Sequence, residues 1–227
     1  ATRYNNLGEA WRAKGQYDRA IDFYNKALTI DQKTFGEDHP DVATIYNNLG
    51  LAWLAKGEYD RAIDFYTKSL TINLKTFGED HPDVATDYNN LGLAWDNKGE
   101  HDKAIDFYTK ALKSNLKTFG EDHPKVTTSL NNIAKLYRNQ GEYEEAKFHF
   151  LWAIKIQEKA LGHDHPDNAI NLAGLALTYD KQGRDEEAEL LYRRALQIAE
   201  KEFDSDHWLL KAISESYAAF LKKMNRP

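Results

Sequence analysis

The chain has 227 residues, with 30 Lys and Arg against 36 Asp and Glu and a formal net charge of −6. That balance argues against nonspecific nucleic-acid binding, which draws on a cationic surface. The absence of cysteine excludes a disulfide framework. No apolar run is long enough to cross a bilayer or to form a signal-peptide core, so no membrane partner and a cytoplasmic location are expected.

In chain order the dominant signal is repetition. The stretch YNNLG-x-AW occurs at residues 4–11, 46–53 and 88–95, and about 34 of 42 positions match between the first two copies. Weaker copies follow at Leu130-Asn131-Asn132-Ile133-Ala134 and Leu172-Ala173-Gly174-Leu175-Ala176, and Ser214 opens a sixth. A fixed period of this length signals a solenoid, whose neighbours share one continuous core. The expected organisation is a single domain of repeats 1–42, 43–84, 85–126, 127–168 and 169–210 with a final helix at 207–224. Ala1 is in phase with Ala43 and Ala85, inside a predicted helix, so the chain is expected to be a piece of a longer protein.

Each repeat reads as two helices. In the second repeat helix A is predicted over residues 41–56 and helix B over 59–76. Gly57 and its equivalents fall at the A–B turn, where a positive φ suits a helix C′ position. Asp60 or Glu58 is expected to cap helix B, and Asp80 to cap the next helix A, with Pro82 in its first turn. Tyr46, Leu49, Gly50 and Trp53 share one face of helix A, and Tyr59, Ala62, Ile63, Tyr66, Ser69 and Leu70 one face of helix B.

Tyr4, Leu7, Gly8, Trp11, Ala20, Tyr24 and Ala27 resemble, in order and spacing, the tetratricopeptide repeat signature. Tyr46, Leu49, Gly50, Trp53, Ala62 and Tyr66 match it again, with Ser69 in place of the last Ala. The longer period, with its FGEDHPDV linker, resembles the repeats of kinesin light chain. The resemblance implies an all-α right-handed superhelix of five antiparallel helix pairs plus a capping helix. It also implies a non-enzymatic scaffold that binds a short extended peptide in a concave groove lined by the A helices. The other reading is a structural module that stacks end to end and supports an upstream effector domain.

On the face opposite the core, Asn5, Asn47, Asn89 and Asn131 form one row and Asn6, Asn48, Asn90 and Asn132 another. Asn offers a donor and an acceptor. The rows therefore suit either the backbone of a bound peptide, as the kinesin light chain resemblance implies, or bonds that tie repeats together. Leu51, Leu54 and Leu93 place apolar side chains on the same face, and Lys135 and Arg138 place cations there; all five are candidate contacts. On the outer face of helix B, Asp22, Asn25 and Lys26 give way in repeat four to Phe148, Leu151 and Trp152, an expected convex patch.

The periodic His39, His81, His123, His165 and His207 sit one per repeat, too far apart to share a zinc ion. No metal site, cofactor or catalytic residue is expected. Tyr217 and Leu221 are expected to pack the final helix against helix B of repeat five, with Lys222, Lys223 and Arg226 near its negative end. The uncapped N-terminal end is the expected surface for self-association.

Overall fold

The structure, a computed structural model, describes residues 1–225, and Arg226 lies outside them. These residues form eleven helices and no strand. The A helices are α1 (Thr2–Ala13), α3 (Pro40–Ala55), α5 (Pro82–Asn97), α7 (Lys125–Gln140) and α9 (Pro166–Lys181). The B helices are α2 (Tyr17–Phe35), α4 (Tyr59–Phe77), α6 (His101–Phe119), α8 (Tyr143–Leu161) and α10 (Asp185–Glu202), and α11 (Trp208–Lys223) closes the series. The chain divides into two compact units, residues 1–118 and 119–227.

In the first unit the pairing rests on a close approach. Gly50 on α3 faces the ring of Tyr66 on α4; a Cβ there would stand 2.5 Å from the ring. Gly8 with Tyr24 and Gly92 with Tyr108 repeat the contact, and all three rings are fully or almost fully buried. The bare backbone of helix A thus receives the broadest side chain of helix B. At the other end of the pair, Trp53 is sandwiched beneath Lys56 and Arg61, whose cationic groups lie 5.0 and 4.4 Å from its ring centre.

Between them the chain turns at Gly57, φ 79°. Its N–H donates to Leu54 O at 2.9 Å, and the N–H of Glu58 donates to Trp53 O at 3.0 Å. This is the Schellman pattern that a left-handed Gly permits. Glu58 is the N-cap of α4, but no side chain caps that helix. The expected Asp60 cap is instead committed elsewhere: Asp60 pairs with Lys98, as Asp18 pairs with Lys56, so the acid that opens α4 or α2 ties to the cation ending the next A helix.

The A helices start differently from expectation as well. The N-cap of α5 is His81, whose Nδ1 accepts from Asp83 N–H at 3.2 Å, and Pro82 follows as N1. His39, His165 and His207 do the same at α3, α9 and α11. Each ring at α3, α5 and α11 stacks on the Phe that ends the preceding B helix, Phe77 and His81 at 4.2 Å and Phe203 and His207 at 3.9 Å. Asp80 is free of capping duty and pairs with Lys117; Asp38 pairs with Lys75 and Asp122 with Lys159 in the same way.

In the second unit Ala134 occupies the Gly92 position and Phe150 the Tyr108 position. With that slot filled, the ring of Phe150 packs forward against Gly174 on α9, where a Cβ would stand 2.5 Å away. Helix α11 covers the last pair as expected. Tyr217 stacks on Tyr192 of α10 at 5.6 Å and accepts from Arg193 Nε at 3.1 Å, and Leu221 packs beside it. The buried anchor is Phe220, 1% exposed and 5.5 Å from Tyr192. Lys222 and Lys223 lie in the last turn, and Lys223 pairs with Asp180 at 2.7 Å.

Gly50→Ala forces the Tyr66 ring out of its seat. The expected loss is about 1–3 kcal/mol, the usual range for an overpacked core, read as a lower denaturant midpoint with an unchanged slope. An equal loss from Gly57→Ala would come from backbone strain instead, so the ring contact is isolated by Tyr66→Leu in the Gly50→Ala background, which should recover part of the stability.

Candidate functional site

The Asn rows are interlocked within the first unit. Asn48 Nδ2 donates to Asn5 Oδ1 at 2.9 Å, and Asn90 Nδ2 donates to Asn47 Oδ1 at 2.8 Å. Asn5 in turn donates to Glu9 Oε1 at 3.1 Å. Each pair joins one A helix to the next, which is the inter-repeat role. Asn48 is buried rather than turned to solvent, Asn5, Asn47, Asn89 and Asn90 are half-buried, and Asn6 is exposed.

Leu51, Leu54 and Leu93 are half-buried too. Leu51 and Leu54 pack against the cluster that contains Leu91 and Ala94 of the following A helix. The expected wet apolar face is therefore largely a continuation of the core.

Polar clefts open where successive A helices meet the B helix between them. In the first unit a cleft of about 360 Å³ is lined by Asp41, Thr44, Asn47, Asp83, Thr86 and Asp87. Its floor is Asp87, 1% exposed, which accepts from Ser69 Oγ at 2.8 Å and from Asn73 Nδ2 at 2.7 Å. Burial pushes the Asp87 carboxyl up to about 6, against the pull of those two donors. Sequence reasoning missed this triad. The signal was present: Asp87 stands where the second repeat has Ile45, and Ser69 where the first has Ala27, so a charge and a hydroxyl enter apolar positions together.

In the second unit the equivalent cleft, about 430 Å³, has the opposite character. It is lined by Lys125, Thr128, Asn131, Asn132, Lys135 and Ile170, with Asp167 at its edge. Lys135 is exposed to solvent yet ringed by protein atoms, and this crowding, with Arg138 nearby, pulls its ammonium below the ordinary value. Arg138, half-buried, is likewise lowered by burial. Neither cation has a carboxylate partner among the described residues. Asn131 and Asn132 are half-buried, and Asn131 Oδ1 is a buried acceptor without a donor. The structure therefore brings Asn131, Asn132 and Lys135 into one cleft.

Phe148 and Leu151 are exposed, at 59% and 45%, and Trp152 is half-buried on the outer face of α8. At the start of the chain α1 has no side-chain cap, and a cleft of about 390 Å³ is lined by Ala1, Thr2, Asn5, Asp31, Phe35 and Ile45. No group of three or more His, Cys, Asp or Glu among the described residues is arranged to hold a metal ion, and none of the described helices is long and apolar enough to cross a membrane.

Paired helices repeated along the chain, the first three pairs closed by a Gly–aromatic contact, with polar clefts on the A helices, define a helical-repeat protein. The tetratricopeptide repeat family matches over residues 1–75, 51–117, 96–159 and 153–201, and the chain belongs to it. Among solved structures it is similar to BtubC (BKLC) from P. vanneervenii, with 25% identity, 91% of this chain and 83% of that chain covered, and a TM-score of 0.77. It is also similar to a kinesin light chain-type protein of Podosopora anserina with nearly identical TPR-like repeats, at 24% identity, 89% and 97% coverage and a TM-score of 0.74. The apo form of RapI shares the fold at 19% identity, 98% and 84% coverage and a TM-score of 0.74. No curated protein sequence matches the chain.

Two outcomes are expected. Asn48→Ala with Asn90→Ala should destabilise the fold by about 1–3 kcal/mol, because the half-buried Asn5 and Asn47 lose their donors; a melting curve equal to the parent's would remove the ladder from the stability of the array. The second concerns pH. The folded Asp87 holds its proton up to about 6, whereas an ordinary aspartate releases it near 3.8. In that window the folded state binds more protons, so stability is greatest at and below the lower value and falls as pH rises through the upper one. The decline is at most about 3 kcal/mol, and Asp87→Asn should abolish it in denaturant titrations across the window.

Proposed function

We propose that this chain is a non-enzymatic scaffold for protein–protein interaction, as tetratricopeptide repeats commonly are, and that its A-helix clefts receive a short extended peptide. The observation that carries this reading is the cleft of α7 and α9. Lys125 and Lys135 line it, Lys135 forms no ion pair among the described residues and has the Arg138 charge nearby, and a buried Asn131 acceptor lacks a donor. A protein that keeps cations partly desolvated and unpaired meets a cost that a bound anion relieves. A peptide supplies both missing partners at once, a carboxylate for Lys135, whose cationic field Arg138 reinforces, and a backbone N–H for Asn131. Its apolar side chains find Ile170 in the same cleft.

The Asn rows contribute within this reading through the amide groups not spent on the ladder. Asn47 Oδ1 is taken by Asn90, and its Nδ2 remains for a peptide carbonyl. The charge of the clefts sets preference: acidic residues suit the Lys135 cleft and not the cleft floored by Asp87.

A peptide array displaying acidic, basic and neutral extended sequences tests the proposal. Acidic sequences should bind, and Lys135→Ala with Arg138→Ala should weaken them by about tenfold or more, with a smaller loss at high salt. Binding that is indifferent to both substitutions and to charge sinks this assignment of the cleft.

A further inference from the structure

The outer face of α8 departs from the pattern set by the first three repeats. There the equivalent positions hold Asp22, Asp64 and Asp106, each followed four residues later by Lys26, Lys68 or Lys110. Lys68 meets Asp64 at 2.7 Å, a solvated ion pair one turn long. In α8 the same two places are Phe148 and Trp152, with ring centres 6.0 Å apart. Leu151 extends the apolar surface, and both Phe148 and Leu151 stand in solvent.

A charge flanks this pair on each side. Glu145 lies three residues before Phe148, and Lys155 lies three residues after Trp152; both are exposed. Neither side chain has an ion-pair partner among the described residues. In repeats one to three the Glu145 position is Arg19, Arg61 or Lys103, so the acid is particular to this helix within that set. At the helical turn angle, Glu145, Trp152, Phe148 and Lys155 fall within about 80° of arc, with Leu151 along its edge.

The stripe is complementary to itself. Phe148 and Trp152 are equally distant from position 150, and so are Glu145 and Lys155. A two-fold axis through that point sets an antiparallel copy with Phe148 on the second copy's Trp152 and Glu145 beside the second copy's Lys155. Both contacts then occur twice. Parallel packing would instead place Glu145 against Glu145. We propose that the outer face of α8 is a self-association surface, on which a second copy of this chain docks antiparallel in an isologous pair. Packed helices approach to about 8–10 Å, within reach of Glu and Lys side chains. One helix face buries less than a standard interface, so the association is weak and concentration-dependent.

Sedimentation of the full chain up to the order of 1 mM tests this, a range suited to weak pairing. A reversible monomer–dimer equilibrium is expected. Phe148→Asp restores the residue that three other repeats carry on this face, so the fold is retained, and it should raise the dimer dissociation constant by about tenfold or more. Glu145→Lys and Lys155→Glu should each weaken the dimer, and the double variant should restore it, because the charge pairs are then inverted in both copies. A chain that stays monomeric throughout leaves the patch to some other partner and overturns the proposal. So does a dimer indifferent to Phe148→Asp, or a double charge variant no tighter than the singles. Peptide binding by the Lys135 cleft should be the same for Phe148→Asp and the parent, which keeps this test separate from that of the groove.

Discussion

The contact between a bare glycine backbone and a buried aromatic ring is what the first three helix pairs depend on. Gly50 lets Tyr66 seat flat against α3, and Ala62, Leu91 and Ala94 complete a dry cluster around the ring. Dispersion and burial at so short a separation leave no room for adjustment, since the core is as dense as a crystal. The second unit departs from that contact in two ways. Where the glycine becomes Ala134, the Phe150 ring meets Gly174 on the next A helix. Where it becomes Ala176, Tyr192 stays fully buried without a glycine against its ring and packs on Tyr217 and Phe220 of α11.

Around that contact the repeats are joined by polar devices at the rim and the core. Along the edges, acids at the start of a B helix or in the linker after it meet cations one repeat later, as in Asp60 with Lys98 and Asp80 with Lys117. Such exposed pairs contribute little singly, but their regular spacing favours one offset between neighbours. Nearer the core, Asn48 and Asn90 reach back to the preceding helix. The clefts lie between these two layers, which is why their linings can vary without loosening the array: Asp41 becomes Lys125 and Thr86 becomes Ile170 at matching places.

Much of this was legible in the chain. The 42-residue period, the left-handed turn at Gly57, the packing of Tyr217 and Leu221 and the exposure of Phe148 and Leu151 all follow from spacing and residue type. The cap of the A helix was misassigned to Asp80 although the rule that settles it was available. Proline at N1 makes the residue before it the N-cap, and that residue is His81. The Asn partners were beyond reach of spacing alone, because an amide on a half-wet face can bond a ligand or a neighbour, and only the separation of adjacent A helices decides. Asp87 was overlooked for a different reason. In a sequence so repetitive, a single apolar-to-acid change reads as drift until its two donors, fourteen and eighteen residues earlier, are seen to converge on it.

That junction has a consequence for the history of the array. Copies this alike invite recombination, and nothing in the edges would prevent one repeat from replacing another. The interior would. Ile45 rests on Ala27 in an apolar cluster, whereas Asp87 rests on Ser69 and Asn73, and Asn171 on Gln157. Moved next to α2, the Asp87 helix would face Ala27 and the carboxylate of Asp31 with no donor; moved next to α4, the Ile45 helix would leave Ser69 and Asn73 stranded. Each cut-and-paste event would carry an unpaired polar group into the middle of the protein. At these three junctions a few buried side chains thus act as an internal address that disfavours exchange of otherwise similar parts.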